Sequence, residues 1–530
     1  MGLLRRPLPE GMVALPPPDW ARSGLYLGMD ENSFWSQGHM PEDRARWYLD
    51  VIWGGQRVVR GVDVTEATAL MLAGPGGYKT MGWLLGIVGL QDWPGPVLCL
   101  STRTDLARFA GPRRARLGKV QVLDYRGQLA ATLPYQRVKW NPLDGCEVPG
   151  LVLDRVKVMY ETVELGRPPA EAIWSEGAIG ALAAWFHAAA VEGSGIERVL
   201  SWQRRNELVE PQRILKHHKS AAGFGENLAA LAESAAEQTT QSKLQSTHAV
   251  LAALADPAIL AGCKPDMYDG FDIDAFLDSA DTLFVCDKGG KAKVSPLAPL
   301  TVGLVNAILE KAEALAAATP AGPGRLPGRL AKPLLVVIDE VANISPIPAL
   351  DQVFSQARGH GYTVAIAAQS WGQIVDRWGE AVASAIWDTA AYRLVGAGLQ
   401  DQDGFLTNVS KTIGEKQEWR KTVGSQSGGS GSGPSHKGRS ESHTIMDTPR
   451  HKMRYLARLP EGTAILIGRE GVRAVQLPAL PSLLETLERA EALEAERDAA
   501  AFDAASARAR SGPSRWSKLR RSLATRGERP

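Results

Sequence analysis

The fold of this chain is decided by Ala67-Thr-Ala-Leu-Met-Leu-Ala-Gly-Pro-Gly-Gly-Tyr-Lys-Thr80, an apolar run that breaks into glycines and ends on Lys-Thr. A buried strand, a tight turn and a following helix are predicted from this order. Small residues in the turn leave backbone N–H groups free to surround phosphates, and the helix directs the positive end of its dipole at them. The stretch therefore predicts a phosphate-binding loop of an α/β fold.

Within this loop, Gly74, Gly76, Gly77 and Tyr78 would line the phosphates. The Lys79 ammonium would reach the β- and γ-phosphates, and the hydroxyl of Thr80 would hold Mg²⁺. Tyr78 stands where the usual G-x-x-x-x-G-K-[ST] pattern has its second glycine, and Ala73 stands at the first. From this stretch alone, a glycine-rich turn that binds nothing stays an alternative.

A second buried strand with an acidic end lies far downstream, in Pro333-Leu-Leu-Val-Val-Ile-Asp-Glu340. The unbroken apolar run suits a central parallel strand that is covered on both faces. Asp339 follows at the carboxyl end of this strand, where ligands bind in open α/β sheets, and it would organise Mg²⁺. Glu340 is one residue nearer the attacking water. An ordinary solvated acidic pair is the alternative, and the presence of the phosphate loop disfavours it.

A third strand, Thr363-Val-Ala-Ile-Ala-Ala-Gln369, ends on an uncharged polar residue. In many motor ATPases an amide at this position senses the γ-phosphate or orients water, which makes Gln369 a candidate catalytic residue. An amide that simply ends a strand is the alternative.

The order of these and other motifs resembles the type IV secretion coupling proteins of the TraG/TraD kind, which are conjugative DNA transfer ATPases. The motifs that carry the resemblance are Gly74-Pro-Gly-Gly-Tyr-Lys-Thr80, Val97-Leu-Cys-Leu-Ser-Thr-Arg-Thr-Asp-Leu106, Lys119-Val-Gln-Val-Leu-Asp124, Trp140-Asn-Pro-Leu143, Val337-Ile-Asp-Glu-Val-Ala-Asn343, Gln356-Ala-Arg-Gly-His-Gly-Tyr362, Ala367-Ala-Gln-Ser370 and Leu459-Pro-Glu-Gly-Thr-Ala-Ile-Leu-Ile-Gly468. The resemblance covers about residues 60 to 480. The chain departs from the family at Tyr78, at the shortened Gly74–Lys79 spacing, and at Arg103, where members often carry lysine.

The resemblance implies a RecA-like P-loop NTPase with a central, mostly parallel sheet and an inserted all-helical domain. It also implies ATP and Mg²⁺ as ligands, and a homo-hexamer in which an arginine from the neighbouring subunit completes each active site. Arg358 matches the segment that supplies this arginine. DNA, single- or double-stranded, and relaxosome or secretion-channel proteins are the implied partners.

The domain organisation follows from changes in composition along the chain. We expect an N-terminal extension at 1–60, a first nucleotide-binding part at 61–150, an all-helical insertion at 151–280, a second nucleotide-binding part at 281–480 with a disordered Gly/Ser-rich loop at 425–443, and a helical and basic C-terminal tail at 481–530. In the insertion, Trp174, Trp185, Phe186 and Trp202 are expected to be core residues and not a platform for nucleic-acid bases.

Composition agrees with a large intracellular protein. The 530 residues carry a formal net charge of +2, so any affinity for polyanions must come from local patches such as the basic interval 508–526. The four cysteines are too widely spaced for a zinc site or a disulfide framework. No apolar run is long enough to cross a bilayer and no signal peptide is evident. We therefore expect a cytoplasmic protein, or a peripheral one at the inner face of the cell membrane, that contacts the membrane only through partners.

The function that these observations favour is an ATP-hydrolysing coupling protein that recruits and pumps DNA, or a DNA–protein complex, to a secretion channel. One alternative with the same fold is a hexameric DNA translocase for segregation or repair. Another is a nucleotide-gated cargo adaptor with little turnover. Tyr78 favours this alternative because its ring could narrow the phosphate loop and slow hydrolysis.

Overall fold

The protein is described here by a computed structural model that covers a large part of the chain. The described residues are 26–30, 51–53, 56–60, 68–89, 93–166, 175–218, 223–233, 244–288, 294–322, 326–426, 438–449, 452–468, 471–477 and 481. The chain divides into two compact units, Met1–Ala479 and Leu480–Pro530. In the second unit only Pro481 is described, so the predicted helical and basic tail lies outside the described residues.

Fifteen strands are described, and thirteen of them form one sheet. The strands are β1 (Tyr26–Asp30), β2 (Val51–Trp53), β3 (Gln56–Arg60), β4 (Thr68–Leu72), β5 (Val97–Ser101), β6 (Val120–Leu123), β7 (Gln136–Val138), β8 (Thr282–Cys286), β9 (Leu334–Ile338), β10 (Tyr362–Ala368), β11 (Tyr392–Gly396), β12 (Glu415–Gln426), β13 (Gly438–Pro449), β14 (Thr463–Gly468) and β15 (Gly471–Gln476). The large sheet has the order β2-β3-β1-β15-β14-β11-β4-β10-β9-β5-β8-β6-β7.

The centre of this sheet is parallel and buried. From β11 to β7, eight neighbouring strands run parallel to one another. Every residue of β4, β9 and β10 is buried, as expected for strands that helices cover on both faces. The predicted α/β class with a central, mostly parallel sheet is confirmed.

The remaining five strands of the sheet pair antiparallel beyond β11. The segment β14–β15 closes this side as a hairpin, and β1 pairs with β15. The strands β3 and β2 follow as the last two. Where it is described, the N-terminal extension predicted at 1–60 thus adds three strands to the sheet of the nucleotide-binding part.

Sixteen α-helices are described. They are α1 (Leu85–Gly89), α2 (Asp105–Arg114), α3 (Pro149–Glu164), α4 (Ser175–Glu192), α5 (Ile196–Arg205), α6 (Val209–Lys216), α7 (Phe224–Glu233), α8 (His248–Leu251), α9 (Pro257–Gly262), α10 (Ile273–Leu277), α11 (Ala298–Ala318), α12 (Val341–Ile344), α13 (Leu350–His360), α14 (Trp371–Thr389), α15 (Phe405–Ile413) and α16 (Met453–Leu456). Among the described residues, no helix has the length and apolar character that crossing a membrane requires.

The elements α3 to α10 form a helical insertion between β7 and β8, and the regular elements described in it are helices. Its core contains Trp185, Phe186 and Trp202, which have no exposed surface. The indole N–H of Trp185 donates to the Glu207 carbonyl oxygen at 2.8 Å, and that of Trp202 donates to the Glu210 carboxylate at 2.8 Å. The expectation that these aromatic residues are core residues is confirmed, while Trp174 lies outside the described residues.

The prediction of a disordered loop at 425–443 is wrong at both of its described ends, 425–426 and 438–443. The strands β12 and β13 pair antiparallel over twelve residues each and form a separate two-stranded ribbon. In its register Ser425 pairs with Arg439 and Lys421 pairs with His443. The two ends of the predicted loop therefore lie in strands, because backbone pairing compensates for their low hydrophobicity, and residues 427–437 lie outside the described residues.

A buried arginine ties α2 to the amino edge of the sheet. Arg114 is fully buried, and its guanidinium donates to the Thr282 hydroxyl at 2.8 Å and to the carbonyl oxygens of Ala280 at 2.9 Å and Trp93 at 3.1 Å. A buried charge with several hydrogen-bond partners is stable, but removing it leaves those partners unpaired.

We predict that Arg114→Ala lowers the free energy of unfolding of the first unit by about 3–5 kcal/mol. Urea denaturation followed by tryptophan fluorescence measures this change. The matched control is Arg108→Ala, which truncates an exposed arginine in the same helix and should cost no more than about 0.5 kcal/mol. Equal costs for the two variants would contradict the prediction.

Candidate nucleotide-binding site

The candidate site lies where four neighbouring parallel strands end. The order β4-β10-β9-β5 brings the carboxyl ends of these strands to one edge of the sheet. The predicted phosphate loop follows β4, Asp339 and Glu340 follow β9, and Gln369 follows β10. This is the edge at which open α/β sheets bind their ligands.

The phosphate loop is held in place by backbone contacts with the neighbouring strand ends. The N–H of Ala73 donates to the Ala368 carbonyl oxygen at 3.2 Å, and that of Gly74 donates to the Ala397 carbonyl oxygen at 2.9 Å. A Cβ atom on Gly74 would lie 2.4 Å from the carbonyl oxygen of Gly398, so glycine is required there by close backbone approach. Gly76 has a φ of 76° and lies exposed at the tip.

Tyr78 has a left-handed backbone conformation, which glycine adopts most easily. Its φ is 58° and its ψ is 26°, in the left-handed region, which costs a residue with a Cβ about 1–2 kcal/mol relative to glycine. The Tyr78 carbonyl oxygen then accepts hydrogen bonds from Gly82 and Trp83 as the chain enters a π-helical turn, Lys79–Leu84. The loop therefore keeps its path despite the departure from the usual pattern.

Lys79 lies under the loop with only 7% of its surface exposed. Its ammonium donates to the carbonyl oxygens of Ala73 at 2.6 Å and Gly74 at 3.0 Å. Burial lowers the pKa of Lys79, and the nearby charges of Glu340 and Asp339 act in the opposite direction. An ammonium that neutral carbonyls hold in this way is well placed to exchange them for phosphate oxygens.

Asp339 links the phosphate loop to the central strands. Its Oδ2 accepts hydrogen bonds from the Thr80 hydroxyl at 2.9 Å and from the Ser101 hydroxyl at 3.2 Å. Its Oδ1 is buried without a hydrogen-bond partner among the described residues. Burial raises the pKa of this carboxyl, and the two hydroxyl donors oppose the shift. An unpaired buried carboxylate oxygen beside a threonine hydroxyl fits a hydrated magnesium ion, since Mg²⁺ favours oxygen ligands and keeps several waters.

Glu340, the next residue after Asp339, has a left-handed backbone conformation with φ 58° and ψ 52°. The Gln369 amide donates to its Oε1 at 2.8 Å, and the Asn343 amide donates to its Oε2 at 3.3 Å. Burial raises the pKa of the Glu340 carboxyl, while the hydrogen bond from Gln369 lowers it.

The structure brings together the predicted residues of the phosphate loop with Asp339, Glu340 and Gln369, but it does not bring Arg358 to them. Arg358 is exposed in the last turn of α13, just before β10 begins. The seven residues of β10, about 20 Å in length, separate that edge of the sheet from Gln369. Within one chain, therefore, Arg358 lies at the opposite edge of the sheet.

Sequence reasoning missed two residues that contact the acidic pair, Ser101 and Asn343. Each carried a signal, because Ser101 is a polar residue at the end of an apolar strand and Asn343 closes the Asp-Glu-Val-Ala-Asn motif. Among the described residues, no group of three or more His, Cys, Asp or Glu side chains could hold a metal ion. A magnesium ion here would depend on Thr80, Asp339 and phosphate oxygens together.

We predict that Gly74→Ala weakens ATP binding at least tenfold, because the new methyl group would force the loop away from Gly398. Binding of a fluorescent ATP analogue measures the effect. The control is Gly359→Ala in α13, where a Cβ would meet nothing within 4 Å. Unchanged affinity in Gly74→Ala would show that the loop does not carry the nucleotide.

Comparisons with known families and structures identify proteins with a similar sequence segment or a similar fold. Residues 333–460 match the family model described as the TraM recognition site of TraD and TraG. No curated protein matches the sequence at a significant level.

Solved structures of coupling proteins share the architecture. The bacterial conjugative coupling protein TrwBdeltaN70, in its unbound monoclinic form, is 17% identical over 86% of this chain and 94% of that chain, with a TM-score of 0.57. Plasmid coupling protein TrwB in complex with ADP and Mg²⁺ is 15% identical over 86% of this chain and 95% of that chain, with a TM-score of 0.55. The complex of TrwB with the ATP analogue ADPNP is 15% identical over 86% and 94%, with a TM-score of 0.54. The shared RecA-like P-loop fold and the matched segment confirm that this chain resembles the type IV secretion coupling proteins of the TraG/TraD kind.

Proposed function

We propose that this chain is an ATPase that uses hydrolysis to move DNA, or DNA with an attached protein, towards a type IV secretion channel. The observation that carries the proposal is the 2.9 Å hydrogen bond between Thr80 and Asp339. This bond joins the phosphate loop to the acidic strand end, although the two residues are 259 positions apart in the sequence. Asp339 Oδ1 accepts no hydrogen bond from a protein donor among the described residues. The TrwB complexes with ADP and Mg²⁺ and with ADPNP support ATP and Mg²⁺ as the ligands.

Each residue of the site has a role in this proposal. Bound ATP·Mg²⁺ supplies the phosphoanhydride bond and neutralises the charge that develops on the phosphates. Lys79 would hold the terminal phosphates with its ammonium, and the backbone N–H groups of Gly76 and Tyr78 would donate to them, since Pro75 has no N–H and those of Gly74 and Gly77 donate to protein carbonyl oxygens. Thr80 Oγ1 would bind Mg²⁺, and Asp339 Oδ1 would accept from a water of its coordination shell.

The acidic and amide groups would act on the attacking water. Glu340 would accept a hydrogen bond from that water and draw its proton towards the carboxylate, and raised basicity from burial supports this role. Gln369 already contacts Glu340 at 2.8 Å, so it could respond to a γ-phosphate and to the position of Glu340 together. Arg358, which lies away from the site in its own chain, would serve the site of a neighbouring subunit in a ring.

The partners belong to the same proposal. The match to the TraM recognition model supports recognition of a relaxosome protein by residues 333–460. This range belongs to the nucleotide-binding part and lies outside the helical insertion. We place the protein on the cytoplasmic side of the cell membrane, where it would act as a homo-hexamer and reach the membrane through channel proteins.

We predict ATP turnover that single-stranded DNA stimulates and that Lys79→Ala and Glu340→Gln each reduce at least 100-fold. Lys79→Ala should also weaken ATP binding, whereas Glu340→Gln should preserve it. Steady-state phosphate release measures turnover, and Glu380→Gln, in an exposed part of α14, is the control. Tight ATP binding with negligible turnover under all conditions would replace this proposal with a nucleotide-gated adaptor.

We predict that Arg358→Ala abolishes turnover in assembled rings and that mixing it with Glu340→Gln restores part of it. In a mixed ring, an intact Glu340 can face an intact Arg358 from the other variant, which restores up to about one quarter of wild-type turnover. Arg137→Ala, at an exposed position in β7, is the matched control. If mixing restores nothing, or if Arg358→Ala rings keep full turnover, Arg358 is not the residue supplied by a neighbour.

A further inference from the structure

The carboxylate of Glu340 is held on both oxygens by amide donors from different elements. Gln369 donates to Oε1 at 2.8 Å and Asn343 donates to Oε2 at 3.3 Å. The short helix α12 starts directly after Glu340, and the N–H of Asn343 donates back to the Glu340 carbonyl oxygen at 2.9 Å. The left-handed backbone and the two amide donors together hold the Glu340 side chain in one orientation.

The two amides have separate supports. Gln369 belongs to the end of β10, where its N–H donates to the Gln373 side chain at 3.0 Å and the Ser370 hydroxyl accepts from the Gln373 N–H at 3.2 Å. These contacts stay within the strand end and the first turn of α14.

Asn343 is supported from another direction, by the start of α11. The N–H of Ser295 donates to the Asn343 carbonyl oxygen at 2.9 Å. The hydroxyl of Thr301 donates to the carbonyl oxygen of Ile344 at 2.6 Å, and Thr301 is almost fully buried. The backbone from which the Asn343 amide extends is therefore held by Ser295, just before α11, and by Thr301 in the first turn of α11.

The helix α11 also packs against the helical insertion. A Cβ on Gly303 of α11 would lie 3.2 Å from the side chain of Met159 in α3, so the two helices approach closely. A cavity of about 140 Å³ lies at this junction, and its lining includes Thr162 and Val163 of α3 and Ser295. Because close-packed helices move together, a shift of α3 would act on α11 at the Gly303–Met159 contact and reach Thr301, two residues earlier in the same helix.

We propose that Asn343 is a positioning residue for Glu340 and that it links Glu340 to the helical insertion through the start of α11. The proposal rests on the proposed ATP hydrolysis. If Gln369 turns to a γ-phosphate, Oε1 is released towards the attacking water, and Asn343 keeps the carboxylate aimed by holding Oε2. Asn343 contacts no residue of the phosphate loop in the described hydrogen bonds, so it acts on the chemical step and not on nucleotide binding.

The first test distinguishes the effect of the Asn343 N–H donors from the effect of the shape of its side chain. We expect Asn343→Ala to lower kcat about 10–100-fold and to leave KM for ATP within about twofold, because misorientation of a catalytic group acts on the transition state alone. Asn343→Asp has nearly the same shape but lacks the N–H donors, and it should be at least as impaired. Asn343→Gln, which keeps an amide, should recover part of kcat.

The second test concerns the link to α11. Thr301→Val removes the hydroxyl and should lower kcat severalfold in the wild-type background and have no further effect in the Asn343→Ala background. Thr301→Ser keeps the hydroxyl and should retain kcat. Thr319→Val is the matched control, because its hydroxyl donates to Leu315 at the far end of the same helix.

The outcomes distinguish this inference from the proposed function. Wild-type kcat in both Asn343→Ala and Asn343→Asp, with turnover that Glu340→Gln abolishes, would overturn the inference alone. Equal effects of Thr301→Val in the two backgrounds would overturn the link to α11. Absence of ATP turnover in the wild-type protein would overturn both the inference and the proposed function.

Discussion

Parallel pairing of β4, β10 and β9 holds the phosphate loop and the acidic pair together. These strands come from distant parts of the sequence, yet their register aligns Leu72 with Ala368 and Ile338 with Ile366. The phosphate loop and the acidic pair consequently leave the sheet at one edge, close enough for Thr80 to bond Asp339. Full burial of all three strands makes any slip in register costly, because it would place apolar and polar positions in the wrong surroundings.

Burial around the site gives its groups their chemical character. Lys79 and the two carboxylates are removed from water together, so desolvation lowers the pKa of the lysine and raises those of the acids. Hydrogen bonds offset the free-energy cost of burying each charged carboxylate, from hydroxyl donors at Asp339 and from amide donors at Glu340. In such surroundings each hydrogen bond is electrostatically stronger than in water, and each unpaired group is correspondingly costly. Asp339 Oδ1, which has no hydrogen-bond partner among the described residues, is for this reason the atom whose chemistry best fits a magnesium-bound water.

Much of the fold and of the site could be predicted from local patterns. Apolar runs of strand length identified β4, β9 and β10, and polar residues at their ends identified the candidate side chains. The conformation of the 425–443 segment could not be predicted in this way, since pairing over long ladders is decided between strands. Ser101 and Asn343 lie in motifs that carry the family resemblance but were assigned no role, because a single serine or asparagine has many common structural roles and becomes informative only beside Asp339 and Glu340.

Local sequence specifies which elements form and which chemistry they offer: a glycine-rich loop before Lys79 and Thr80, an apolar strand before Asp339 and Glu340, and an amide after β10. These are properties of neighbouring residues, so periodicity and composition reveal them. Long-range packing places Arg358 at the edge of the sheet opposite Glu340 and Gln369, and it brings the helix that packs on the insertion into contact with the backbone of Asn343. Both are consequences of contacts between residues far apart in the chain, which depend on how buried elements pack and which no local pattern records.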